Sequence, residues 1–151
     1  MIVLIAILSV GAFIYIGFQQ GVKLEAAAEK MAADLRYAQS QAMSYTLWHG
    51  VSFTGNSYTV YQTNGTTDTP IDDPAKLGSP LTVNVYAKFG VIISSVDMEG
   101  GENKVEFNGL GRPYTDYSGW VVSQEGTVIL SLGSQTKTIT ITPQTGKVAI
   151  Q

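Results

Sequence analysis

The first 18 residues, MIVLIAILSVGAFIYIGF, carry no charged side chain, and they run without a break into a helical pattern of apolar and polar positions that reaches Tyr45. An apolar run of about 18 residues meets the threshold for a membrane-crossing helix and extends roughly 27 Å, close to the thickness of the hydrocarbon core. Such a stretch is expected in lipid or packed against copies of itself. Beyond it, Leu24, Ala28, Met31, Leu35, Ala38, Ala42 and Tyr45 follow one another at alternating spacings of four and three, which places them on one stripe of a helix. Glu25, Glu29, Lys30, Asp34 and Arg36 fall mainly off the stripe and predict a solvated face. The stripe is rich in alanine, and small side chains let a helix approach a sheet closely. The segment therefore reads as a spine on which later strands pack, since so many alanines make a weak coiled-coil seam.

After Trp48 the period changes from helical to alternating. Val51 and Phe53, then Tyr58 and Val60, flank Thr54-Gly55-Asn56-Ser57 in the manner of a hairpin. Residues 63–80, TNGTTDTPIDDPAKLGSP, are dense in turn formers and predict a long surface loop. Strands are predicted at 81–85, 91–93, 104–107, 120–122, 127–130, 137–142 and 147–150, the last following the turn Pro143-Gln144-Thr145-Gly146. β-branched residues dominate these runs, so the C-terminal part is expected to be antiparallel rather than α/β. The predicted class is α+β: a long N-terminal helix, apolar in its first half and amphipathic in its second, packed on an antiparallel β-sheet domain. The expected division is an apolar helix over 1–22, an amphipathic helix over 23–48 and a β domain over 49–151.

Composition narrows the chemistry. A β domain of about 100 residues can bury a core without metal or disulfide support. The 151-residue chain contains no cysteine, which removes disulfides, thiolate metal sites and a cysteine nucleophile. Its formal charge of −3, without runs of like charge, disfavours attraction to nucleic acid or anionic lipid. Lys104, Arg112, Lys137 and Lys147 are too few for a basic strip, so nucleic acid is not an expected partner. The segment after the apolar run, Gln19-Gln20-Gly21-Val22-Lys23, offers no small-residue cleavage site, and no basic residue precedes the run; a retained helix is expected over a removed signal. No nucleophile elbow, phosphate loop or zinc-binding His-Glu-x-x-His pattern occurs, and the single histidine, His49, reads as a surface or capping residue, so no catalytic residue is assigned. Asp68, Asp72 and Asp73 supply the oxygen ligands that calcium takes, but their spacing matches no defined loop, and a solvated acidic loop is the plainer reading. No metal or other cofactor is otherwise expected. Asn64-Gly65-Thr66 fits the N-glycosylation pattern.

An apolar helix that continues into Ala-Ala-Asp-Leu-Arg-Tyr-Ala-Gln-Ser-Gln-Ala (residues 32–42) and then into a β domain resembles the type IV pilin superfamily. Two C-terminal pieces narrow the resemblance to the GspH/FimT-like pseudopilin and minor pilin branch. Phe107-Asn108-Gly109-Leu110-Gly111-Arg112-Pro113 is similar to that branch's Phe-x-x-x-Gly-Arg turn, and residues 139–148, ITITPQTGKV, to its closing hairpin. The chain departs from the family at its fifth residue: Ile5 stands where mature pilins carry a glutamate. Aligning the family's apolar core on Ala6-Ile7-Leu8-Ser9 suggests that Met1 lies a few residues inside the usual mature start, with Gly17 where many pilins have a helix-loosening proline.

The resemblance implies a structural subunit of a type IV pilus-like or type II secretion pseudopilus-like filament, stored in the bacterial cytoplasmic membrane and then assembled into a periplasmic or extracellular filament. Its partners would be copies of itself, other pilins or pseudopilins, and the membrane assembly machinery. Ile2, Leu4, Ile7, Leu8, Phe13, Ile14 and Phe18 are the expected filament-core contacts. Gly17 and Gly21 mark where the helix loosens, since a glycine costs roughly 1 kcal/mol relative to alanine inside a helix. Leu24, Ala28, Met31, Leu35, Ala38 and Ala42 are the expected helix–sheet contacts. The competing readings are a membrane-anchored monomeric β domain that binds a surface partner, and a minor pilin that captures DNA.

Overall fold

The computed structural model describes residues 2–117, 119 and 121–151, with side chains from residue 19 onward. A single helix, α1 (Ile2–Ser44), is followed by the hairpin β1 (Trp48–Thr54) and β2 (Ser57–Thr63). Then come β3 (Asp68–Pro70), β4 (Asp72–Asp73), β5 (Lys76–Pro80), β6 (Thr82–Asn84), the short helix α2 (Val85–Phe89), β7 (Ile92–Asp97) and a 3-10 turn at Glu99–Gly101. The chain closes with β8 (Lys104–Phe107), β9 (Pro113–Tyr114), β10 (Gly126–Leu132), β11 (Gln135–Ile141) and β12 (Val148–Ile150). Two antiparallel sheets result. The first runs β3-β2-β1-β8-β9 with β6 also on β2, the second β12-β11-β10-β7, and β4 and β5 form a separate two-stranded ribbon.

The helix lies against both sheets. Leu24, Ala28, Met31, Leu35, Ala38 and Ala42 are buried, and so are Ala27 and Ala32, so the apolar face is wider than a single stripe. The extra width follows from having two sheets to cover. Val51, Val60, Val105 and Phe107 meet it from the first sheet, and Val128, Leu130, Ile139, Ile141 and Val148 complete the core from the second. Tyr45, the last position of the predicted stripe, lies beyond the end of α1 and is 62% exposed. Among the described residues no helix is long and apolar enough to cross a membrane. The side chains of Ile2, Leu4, Ile7, Leu8, Phe13, Ile14, Gly17 and Phe18, on which the filament-core and flexibility assignments rest, lie outside the described residues.

Three local expectations are corrected. Residues 63–80 are not a structureless loop. β3 pairs with the end of β2 through Tyr61, Gln62 and Thr63, while β6 pairs with the start of β2 through Ser57, Tyr58 and Thr59. Between them the ribbon loops out, its two ends pinned at one point: Ile71 N–H donates to the Val60 carbonyl, Val60 N–H to that of Leu81 and Leu81 N–H to that of Ile71. The unpaired edge of β2 supplied the partners that turn-rich composition concealed. The strand expected over 81–85 stops at Asn84, whose side chain accepts from Ala87 N–H at 2.8 Å and caps α2; Gly90, at φ 73°, ends that helix. Around the strand expected at 120–122, Trp120 lies outside the described residues, and Val121 makes an isolated bridge to Tyr114.

The closeness of helix and sheets is testable by size. Ala28→Leu, at a fully buried position, is expected to cost about 1–3 kcal/mol by overpacking, whereas Ala33→Leu on the exposed side of the next turn should stay within about 0.5 kcal/mol of the parent. Urea denaturation of the two variants measures the difference.

Candidate functional site

Polar side chains of α1 reach into the domain at several points. Asp34, expected on a solvated face, is only 6% exposed. Lys30 Nζ, one turn earlier, lies 2.6 Å from both carboxylate oxygens, and the Tyr58 hydroxyl donates to Oδ2 at 2.7 Å. The buried charge is thus paired and hydrogen-bonded, as burial requires. Burial, reinforced by the Asp34 carboxylate, pushes the Tyr58 pKa upward and keeps its hydroxyl a donor. Farther along, the Arg36 guanidinium donates to the Val148 carbonyl at 3.1 Å, tying the helix to the last strand. Glu25 pairs with Lys137 of β11 at 2.8 Å.

The most informative contact is made by Gln39. Its amide nitrogen donates to the Gly111 carbonyl at 2.8 Å and to the Thr145 carbonyl at 3.0 Å, so one helix side chain joins the turn over 107–113 to the turn over 143–146. Asn108 shapes the first turn by accepting the Leu110 and Arg112 N–H groups on its side-chain oxygen. Gly111 sits at φ 74° and Gly146 at φ 65°, in the left-handed region. A Cβ on Gly146 would lie 2.5 Å from the Gly111 carbonyl oxygen and 2.6 Å from the Gln39 amide nitrogen. Gly146 is needed for backbone approach as well as for φ, and Gly111 for φ, with the Met43 and Gln39 side chains close against it. The two motifs that stand about 30 residues apart in sequence form one knot at the C-terminal end of the helix.

On the outer face of the first sheet, Glu106 is fully buried. The Tyr61 hydroxyl donates to its Oε1 at 2.7 Å, Lys104 Nζ lies 3.3 Å away, and Lys104 also pairs with Asp116 at 2.8 Å. Gly50, between Tyr61 and Glu106 in the sheet, leaves the space in which they meet, since a Cβ there would come within 2.9 Å of both side chains. Burial raises the Glu106 pKa, and the bonds from Tyr61 and Lys104 only partly oppose this; its Oε2 is buried and has no partner among the described residues. Burial disfavours the Lys104 ammonium, but the two carboxylates outweigh it and hold that pKa above the ordinary lysine value. Trp48 packs against Tyr114 of β9 and Tyr117 just beyond it, each ring tilted and at 4.7 Å between centroids, which holds this segment beside β1.

The remaining candidates are scattered. Asp68 of β3 pairs with Thr63 of β2, Asp73 caps the turn at Ala75 N–H, and Asp72 lines a cleft; among the described residues no group of three or more carboxylate or imidazole side chains is gathered to hold a metal ion. Asn64 is exposed, its side-chain oxygen accepting from the Thr66 and Thr67 N–H groups. Gly21 sits at the near end of the sheet contact, a Cβ there reaching within 3.5 Å of Gln135. His49 is not a surface residue: it is 3% exposed, with Nδ1 3.0 Å from the Leu47 carbonyl. Asp34, Gln39 and Glu106 were missed as site residues because periodicity marks polar residues as outward, and their partners Tyr58, Gly111, Thr145 and Tyr61 are distant in sequence, whereas the near ones, Lys30 and Lys104, are polar as well.

The family profile described as Type II transport protein GspH matches residues 27–145 of the 151-residue chain, a span that includes most of the helix seam, the whole first turn of the knot and the second turn up to Thr145. The chain belongs to the GspH family. It is a pilin-type protein of the GspH/FimT-like minor pilin branch, a family of structural proteins and not enzymes. Two crystal structures of the type IV minor pilin FimU of Pseudomonas aeruginosa share its fold. Each has a TM-score of 0.56 and covers 85% of this chain; they are 16% and 15% identical to it, over 92% and 87% of their own chains. No curated protein matches the sequence. The GspH-family pilin thus keeps the fold at low identity, with the knot at Gln39 among the contacts that hold it.

Two outcomes test the energetic reading. Gly146→Ala should destabilise the pilin by more than about 1 kcal/mol, through strain at positive φ and the clash with the Gly111 carbonyl, as measured by thermal unfolding. Because the folded-state pKa of Glu106 is raised, its contribution to stability is fully present below the unfolded value and is lost as pH rises through the folded value. The stability of the parent minus that of Glu106→Gln should therefore fall as pH rises above about 4.5, the ordinary glutamate value; melting curves of both proteins between acid and neutral pH measure it.

Proposed function

We propose that this subunit of a type IV pilus or type II secretion apparatus is stored in the cytoplasmic membrane by its N-terminal helix and lifted from there into a helical filament. The observation that carries the reading is the continuity of α1, a single 43-residue helix whose second half is the spine of the domain and whose first half has the uncharged sequence. The two halves are joined without an intervening non-helical segment. On assembly the apolar half exchanges lipid for the helices of neighbouring subunits. Lipid and protein are about equally apolar, so close packing supplies the selectivity, and Ala6, Ser9, Gly11, Ala12 and Gly17 offer the small residues it uses. Ile2, Leu4, Ile7, Leu8, Phe13, Ile14 and Phe18 fill the filament core, and the β domains tile the outside. Head-to-tail contacts that do not close give an open helix. In this branch the reading favours a minor subunit, working with other pilins and the assembly machinery.

Electron microscopy of material sheared from expressing cells, with mass spectrometry of the filaments, tests the proposal. The parent chain should be found in filaments, and Ile7→Asp or Leu8→Asp should abolish its incorporation. Normal incorporation of both variants would refute it. Scrambling residues 2–16 at constant composition should also destroy incorporation while leaving the protein in the membrane. If the scrambled protein enters filaments normally, the helix is an anchor only.

A further inference from the structure

The end of the domain beyond Ser44 contains a cleft of about 660 Å³ between the last turns of α1 and the β4–β5 ribbon. That volume lies within the range of small-molecule sites. Its walls combine tyrosine rings with polar side chains that have little to do inside the fold. Tyr37 and Gln41 come from the helix, Tyr45 from just beyond it, His49 from β1, Gln62 from β2 and Asp72 from β4. Leu77, at the tip of the ribbon, stands 84% exposed at the margin.

His49 sets the polarity. A carbonyl oxygen only accepts, so the 3.0 Å contact to Leu47 places the hydrogen on Nδ1 and leaves Nε2 as an acceptor. Among the described residues no donor meets Nε2, although the side chain is almost fully buried and borders the cleft. Burial lowers the imidazole pKa, opposed in part by the Leu47 bond, which keeps that lone pair available near neutral pH. The Tyr45 ring lies beside the imidazole, centroids 6.1 Å apart, and completes an aromatic corner. Asp72 is the one ordinarily charged residue in the lining, so the site repels anions.

We propose that this cleft binds a neutral, hydroxyl-bearing ring, namely a sugar unit of a glycan. Such a ring offers an apolar C–H face to the tyrosines and hydroxyl donors to His49 Nε2 and Asp72, while its oxygens accept from the Gln41 and Gln62 amides. A purely aliphatic ligand would strip water from Nε2 and both amides without replacing the bonds. The proposal is independent of filament assembly, because every residue it uses belongs to the β domain or the adjoining end of the helix.

His49 is the only histidine of the chain, so its ring signal reports on the cleft without ambiguity. The full chain, in micelles of a phosphocholine detergent that carries no sugar, is titrated with maltose, lactose and N,N′-diacetylchitobiose while the imidazole carbon and proton resonances are followed. At least one disaccharide should produce a saturable shift in the millimolar range. Tyr45→Ala, at a residue 62% exposed, and Gln62→Leu, at one half-buried, should each weaken that binding about tenfold or more with the unfolding temperature unchanged. No saturable shift with any of the three sugars, or a shift insensitive to Tyr45→Ala, would overturn the proposal. A response to added unlabelled chain or to a neutral peptide, with none to sugar, would also overturn it and make the cleft a protein contact.

Discussion

The close approach of one helix to two sheets is the constraint on which the rest of this molecule depends. Five of the eight buried apolar residues described on α1 are alanines: Ala27, Ala28, Ala32, Ala38 and Ala42. Larger residues at these points would push the helix away from the strands, and the contacts of Arg36, Gln39 and Asp34 with the domain would lengthen together. Leu24, Met31 and Leu35 then fill the spaces between the two sheets. Interiors packed near crystal density leave little room for compromise, so the small residues decide the geometry and the large ones supply most of the burial.

Polar contacts built on that geometry give it a single arrangement. Asp34 is neutralised by Lys30 and receives the Tyr58 hydroxyl, and Gln39 ties together two turns whose glycines permit contact at backbone distance. These groups would be costly if left unpaired inside the domain, so each selects the arrangement in which its partner is present. Glu106 follows the same logic less completely: among the described residues one oxygen is bonded and the other has no partner, and burial raises its pKa.

The same coupling links fold to function. In this chain of the GspH family two sheets grip the second half of α1, and the same helix continues into the N-terminal half on which the proposed assembly rests. The far end of the domain carries a different kind of surface. There the helix has ended, the ribbon between Ile71 and Leu81 stands away from the sheet, and the cleft containing His49 opens between them. Assembly and recognition would then occupy opposite ends of the molecule.

How much of this was legible depended on whether a feature was periodic. The stripe from Leu24 to Ala42, the hairpin of β1 and β2, the antiparallel strands of the second sheet and the closing turn were all readable, because helical and alternating spacings are local properties of the chain. So was the family, from residues 32–42 and the two glycine-containing turns. The ribbon within 63–80 was not readable, since its strands exist only because β2 offers a free edge to both β3 and β6. Asp34, His49 and Glu106 were not readable either: a polar side chain is sent outward by pattern alone, and only long-range packing brings Tyr58 to Asp34 and Tyr61 to Glu106 and buries His49. The sequence by itself determined the helix, the α+β class and the family, because repeating apolar positions and local turn chemistry suffice for them. Tertiary structure decided the second apolar flank of the helix, the knot at Gln39 and the cleft at the end of the domain, because each depends on residues that are distant in the chain and meet only when it folds.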